Sequence, residues 1–109
     1  MSTPTDEAAT WRLHHELELT IRKVNQELIS ASTGAISRSA FTNVARMVAS
    51  LRGQYLQCVL RLGEESRDGH VDTAAALELK PLREAYTEAV EAFAALEHAL
   101  QRGYVALAD

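Results

Sequence analysis

The side chains best suited to metal chemistry lie near the start of the chain, where His14 and His15 stand within one helical turn of Glu18. Imidazole and carboxylate groups are common ligands of transition metals. Residues three apart share a face of a helix, so His15 and Glu18 could hold one ion between them. A metal site needs three or four converging ligands, however, and the Glu-x-x-His motif of di-iron bundles does not occur here. We therefore predict no metal, with His14 packed at a helix end and His15 exposed.

An oligomer would multiply these few ligands by symmetry. This leaves an alternative hypothesis, in which the chain forms a small carboxylate–histidine bundle that binds a metal or another ligand. Its candidate residues come from both ends of the chain and are His14, His15, Glu16, Glu18 and His98.

Three carboxylates, Glu84, Glu88 and Glu91, have the spacing of one helix face. General acid–base catalysis needs a carboxylate in a desolvated cleft. This face lies opposite the apolar residues of its segment, so we predict a solvated acidic face. The single cysteine, Cys58, falls in an apolar row and is predicted to be a buried, unreactive thiol. We accordingly predict a protein that is not an enzyme and uses no cofactor.

The composition is typical of a soluble folded domain. The 109 residues carry a net charge of −4, which disfavours DNA and anionic membranes as partners because both repel an acidic protein. One cysteine cannot form an internal disulfide, and the N-terminal residues lack a signal-peptide pattern. No apolar run approaches the ~20 residues that span a bilayer. We expect a single domain, residues 1–109, of a small cytoplasmic bacterial protein.

Two helices are predicted in the first part of the chain. Helix 1 runs from about 4 to 31, with Thr3 as its N-cap and Gly34 as a left-handed residue after its end. Helix 2 runs from about 37 to 63. Apolar residues recur along both at alternating spacings of three and four, which is the pattern of a helix face packed on another helix. The stripes are Leu17, Ile21, Val24 and Leu28 in helix 1, and Phe41, Val44, Val48, Leu51, Tyr55, Cys58 and Leu62 in helix 2.

A third helix is predicted from about 72 to 107. Asp72 can cap it, and Pro81 either kinks it or restarts it. Its apolar residues recur every seven positions as far as Leu107, with Gly103 in a neighbouring core position. Short connections make neighbouring helices antiparallel. We therefore expect an all-α fold, an antiparallel three-helix bundle or long helical hairpin with coiled-coil-like packing, which dimerises.

Helix 2 also carries four arginines, Arg38, Arg46, Arg52 and Arg61, and no acid until its end. A nucleic-acid site would need a basic patch with available aromatic residues, and the aromatic residues of this helix lie on its core stripe. We predict that the arginines face the acidic last helix instead.

Some apolar residues are left over from the core stripes. Leu56, Val59 and Leu60 lie behind or beside the stripe of helix 2, where one small bundle leaves its surface in water. Isolated surface leucines are common, but a group on one face is typical of a second interface. Trp11 is expected to cap the core, or to be a docking anchor if helix 1 is frayed.

We take these four residues as the interaction surface. They predict a non-enzymatic helical protein–protein interaction module, such as a small adaptor, chaperone or immunity-type inhibitor. Its expected partners are a second copy of itself and one other protein.

Overall fold

The computed structural model describes residues 4–109, so Thr3, the predicted N-cap, lies outside the described residues. Four helices occur in that range: α1 Pro4–Thr33, α2 Arg38–Glu65, α3 Thr73–Ala76 and α4 Leu79–Gln101. The extended structure within residues 4–109 is one isolated parallel bridge, between Ile36 and Leu107. The prediction of an all-α fold is confirmed. None of the described helices is both long and apolar enough to cross a membrane.

The chain divides into two compact units. The first consists of the residues up to Ser37 together with His98–Asp109, and the second is Arg38–Glu97.

In the second unit, α2 and α4 form an antiparallel helical hairpin. Phe41, near the start of α2, meets Phe93 in the second half of α4, edge to face, with ring centroids 6.4 Å apart. Tyr55, further along α2, stacks on Tyr86 in the first half of α4, at 6.3 Å. From the first pair to the second, the residue number rises along α2 and falls along α4. The two helices therefore run in opposite directions, which confirms the predicted antiparallel arrangement. The buried residues of the two helices, which are Val48, Cys58, Leu62 and Ala89, lie in the predicted heptad rows.

Asp72 and Pro81 determine how the chain enters the second helix of this hairpin. The Asp72 carboxylate accepts hydrogen bonds from the backbone N–H groups of Ala74 and Ala75 at 3.0 and 3.3 Å, so it caps α3 as predicted. Pro81 lies in the first turn of α4. A missing N–H has no consequence there, because the first four N–H groups of a helix have no intrahelical partner. Of the two predicted outcomes at Pro81, the structure shows a new helix.

Two left-handed glycines end the long helices. Gly34 has φ +63°, and its N–H donates to the Ser30 carbonyl at 2.8 Å, which closes α1 as predicted. Gly103 has φ +74°, its N–H donates to Leu100, and the Tyr104 N–H donates to Ala99. That pair of bonds is the Schellman motif, so α4 stops at Gln101. The expected helix to 107 is wrong at its end because Gly103 is a cap and not a core residue.

The C-terminal segment then packs within the first unit. The Ile36 N–H donates to Ala106 at 2.8 Å, and the Ala108 N–H donates back to Ile36 at 2.9 Å. The Ser30 hydroxyl donates to the Tyr104 carbonyl at 3.2 Å. Val105, next to Tyr104, is buried. The last turns of α1 and the residues that follow are thus held by the end of the chain.

We expect Gly103→Ala to lower the free energy of unfolding by about 1–2 kcal/mol, because a Cβ at positive φ meets the neighbouring carbonyl. Gly103→Asn should cost less, since asparagine tolerates this conformation. Urea unfolding of both variants measures the effect. Gln101→Ala, an exposed change in the same turn, is the control and should stay within about 0.5 kcal/mol of wild type. Equal losses for alanine and asparagine would contradict the capping role.

Candidate interaction surface

The far side of α2 carries an exposed apolar row. At about 100° per residue, Ala45, Ala49, Gly53, Leu56 and Leu60 fall in one sector of the helix, turned away from the buried row. All five are exposed, and Leu60 keeps 74% of its surface in water. We call these five residues the α2 outer row. Val59, beside it, is also exposed.

The predicted surface residues of α2, Leu56, Val59 and Leu60, are therefore accessible, as expected. Their role in binding stays a prediction. Sequence reasoning missed the small residues that extend the row toward the start of α2. Their signal was present in the chain, since the spacings from Ala45 to Leu60 are four, four, three and four.

A second exposed stripe runs along α1. Leu13, Leu17, Ile21, Val24 and Leu28 follow one side of the helix, and each is 46–65% exposed. We call these five residues the α1 stripe. Four of them form the predicted packing stripe of helix 1. In the structure this stripe lies at the surface, unlike the stripe of α2, and only Asn25, Ile29 and Ser30 of residues 5–30 are partly covered.

Trp11 lies on a different side of α1. Its ring stacks on His15 with centroids 5.4 Å apart and the planes 3° from parallel. Trp11 is nevertheless 66% exposed, so the expectation that it caps the core is wrong. The helix is continuous through this residue, so its exposure does not come from fraying. An exposed, helix-held tryptophan suits contact with a partner, since aromatic residues dominate interface energetics.

The candidate metal ligands do not converge. His14, and not His15, pairs with Glu18, through Nε2 and Oε1 at 3.2 Å, and the His14 side chain is 72% exposed. The prediction that His14 packs at the helix end is therefore wrong, while His15 is exposed as expected. His98, in contrast, lies edge-on to Tyr104 at 6.4 Å. Within residues 4–109 no three histidine, cysteine or acidic side chains are placed to hold a metal ion.

Two of the four arginines of α2 meet the segment predicted as the last helix, one through an aromatic ring and one through an acid. Arg52 lies over the Tyr86 ring, with its guanidinium carbon 5.3 Å from the centroid, and its Nε donates to the Tyr86 hydroxyl at 3.1 Å. Arg61 pairs with Glu78 at 2.9 Å, just before α4 begins. The acidic face of α4, which includes Glu84, is exposed as predicted. Thus Arg52 meets an aromatic ring of α4, and Arg61 meets an acid that precedes that helix.

A cleft in the second unit is lined by Gln54, Gln57, Cys58, Arg61, Glu78 and Leu82. Arg61 Nη2 donates to Glu78 and contacts the Cys58 sulfur at 3.6 Å. The Glu78 carboxylate, followed by the Cys58 sulfur, raises the pKa of Arg61 above its usual value. Because the positive charge is already paired, the cleft offers an anion little attraction. Cys58 is buried, as predicted, and buried thiols react slowly.

No protein-family model, curated protein or solved structure matches this chain. The two exposed apolar surfaces are the features of this chain that bear on its function.

We expect Cys58 in the native protein to react with a disulfide reagent at least about tenfold more slowly than in urea, because labelling requires the helix pair to open. Absorbance of the released thiolate follows the rate. The matched control is a Cys58→Ala chain that carries Gln57→Cys, one position along the same helix and exposed. Equal rates for Cys58 and the control cysteine would contradict the buried placement.

Proposed function

We propose that this protein is a non-enzymatic helical protein–protein interaction module, of the adaptor, chaperone or inhibitor type, that acts through helix–helix contacts. The observation that carries the proposal is the exposed α2 outer row. Leu56 and Leu60 project from a helix whose opposite face is already packed on α4. Contiguous exposed apolar surface on a small protein marks a site of contact.

The partners in this proposal are a second copy of the chain and one other protein. Trp11 is a further contact residue, because it offers a large exposed ring on a helix. The proposed setting is the bacterial cytoplasm, with which a single cysteine that forms no internal disulfide is compatible. Coiled-coil-like contacts are proposed because both exposed surfaces follow helical spacings of three and four.

Leu60→Glu should remove binding while leaving the hairpin folded. We expect it to weaken partner binding at least about tenfold, since it places a charge where an apolar side chain is desolvated. Chromatography with light scattering gives the mass of the purified protein, and affinity capture from the organism of origin gives its bound proteins. Gln57→Glu adds the same charge at an exposed site outside the row and should leave binding unchanged.

A wild-type chain that is monomeric and retains no protein would refute the interaction function. Equal loss of binding in Leu60→Glu and Gln57→Glu would show that the α2 outer row is not the surface. Circular dichroism of all three proteins separates loss of binding from loss of fold.

A further inference from the structure

The α1 stripe and the α2 outer row match each other in length and shape. The stripe spans residues 13–28 and the row spans residues 45–60, so each is about 22 Å long at 1.5 Å per residue. The stripe consists of large side chains, whereas the first part of the row consists of Ala45, Ala49 and Gly53. Small residues on one helix admit the large side chains of another, as in knobs-into-holes packing.

The two surfaces also differ in the sign of the charge around them. α1 contains five acidic and three basic residues, whereas α2 contains four arginines and two acids, both at its end. On a helical projection Glu27 borders the α1 stripe, and Arg46 borders the α2 outer row. Pairing α1 with α1, or α2 with α2, brings like charges together. Pairing α1 with α2 brings opposite charges together, which favours that orientation.

The exposed area is large enough for a stable dimer. The chain exposes 8376 Å². A compact protein of its mass, 12.0 kDa, exposes about 6,000 Å², and two separate compact domains of half that mass expose about 7,200 Å² together. The surplus is therefore about 1,200 Å² or more per chain. A standard stable interface covers about 800 Å² per partner.

We infer that the α1 stripe of one chain docks on the α2 outer row of a second copy, and that the same contact forms in reverse. Both surfaces are exposed in the single chain. A contact that forms twice in this reciprocal way is related by a two-fold axis, as in an isologous dimer, and each chain contributes the same two surfaces to it. The inference rests on the proposed interaction function and names the partner and the pairing of surfaces.

Complementation between two variants tests this reciprocal contact. Ile21→Glu places a charge in the α1 stripe, and Leu60→Lys places a charge in the α2 outer row. In a homodimer of either variant both contacts are damaged, so we expect the dissociation constant to rise about 100-fold, as two successive tenfold losses. A mixture of the two variants can form a heterodimer in which one contact is undamaged and the other contact carries both substitutions. Mixing the two variants in equal amounts should therefore restore dimer, and sedimentation should detect it at a concentration at which neither variant dimerises alone.

Matched controls are Gln26→Glu on α1 and Gln54→Lys on α2, which add the same charges at exposed positions outside the two surfaces. Both should dimerise like wild type.

A dimer that Ile21→Glu dissociates and Leu60→Lys does not would overturn the pairing of α1 with α2, and so would two dissociated variants that fail to complement. A monomeric wild type would overturn the inference as well. If that monomer still bound another protein through Leu60, the proposed function would stand alone, and if it bound none, both would fail.

Discussion

The packing of α2 against α4 determines which side of α2 is buried and which side is left exposed for other contacts. The two aromatic pairs, Phe41 with Phe93 and Tyr55 with Tyr86, set the direction and register of the hairpin. They also determine which side of α2 faces inward. Because a helix turns about 100° per residue, residues on the opposite side cannot reach α4. Leu60 is exposed for this reason, and no change of side-chain rotamer would bury it against that helix.

The heptad row of α2 could be predicted from sequence because it depends on local spacing alone. Gly34 and Asp72 were predictable in the same way, since each cap involves only groups within a few residues along the chain. The end of α4 at Gly103 could not be predicted in this way. Apolar residues continue to recur every seven positions as far as Leu107, so their periodicity predicts a longer helix. The backbone bonds from Gly103 and Tyr104 end the helix there, and apolar spacing carries no information about them.

The candidate surfaces were only partly predictable, for a different physical reason. An apolar stripe indicates that a helix face packs against something. The same residue pattern arises whether that face packs within its own chain or against another chain. The stripe containing Leu17 and Val24 therefore predicted packing, whereas the structure leaves it exposed. Arg52 illustrates the same limit. Its charge predicted an acidic neighbour, yet the guanidinium lies on the Tyr86 ring, which attracts cations through the electron density of its face.

The exposure of α1 bears on why it is helical at all. Most helices in proteins owe their stability to packing of an amphipathic face, because intrinsic propensity contributes little per residue. The described hydrogen bond from α1 to the C-terminal segment lies near the end of the helix, where the Ser30 hydroxyl donates to Tyr104. Ile21 of the α1 stripe lines a cleft with Arg102 and Tyr104, yet each residue of the stripe remains about half exposed or more. In the proposed dimer, covering this stripe would stabilise the helix and form the interface in the same step.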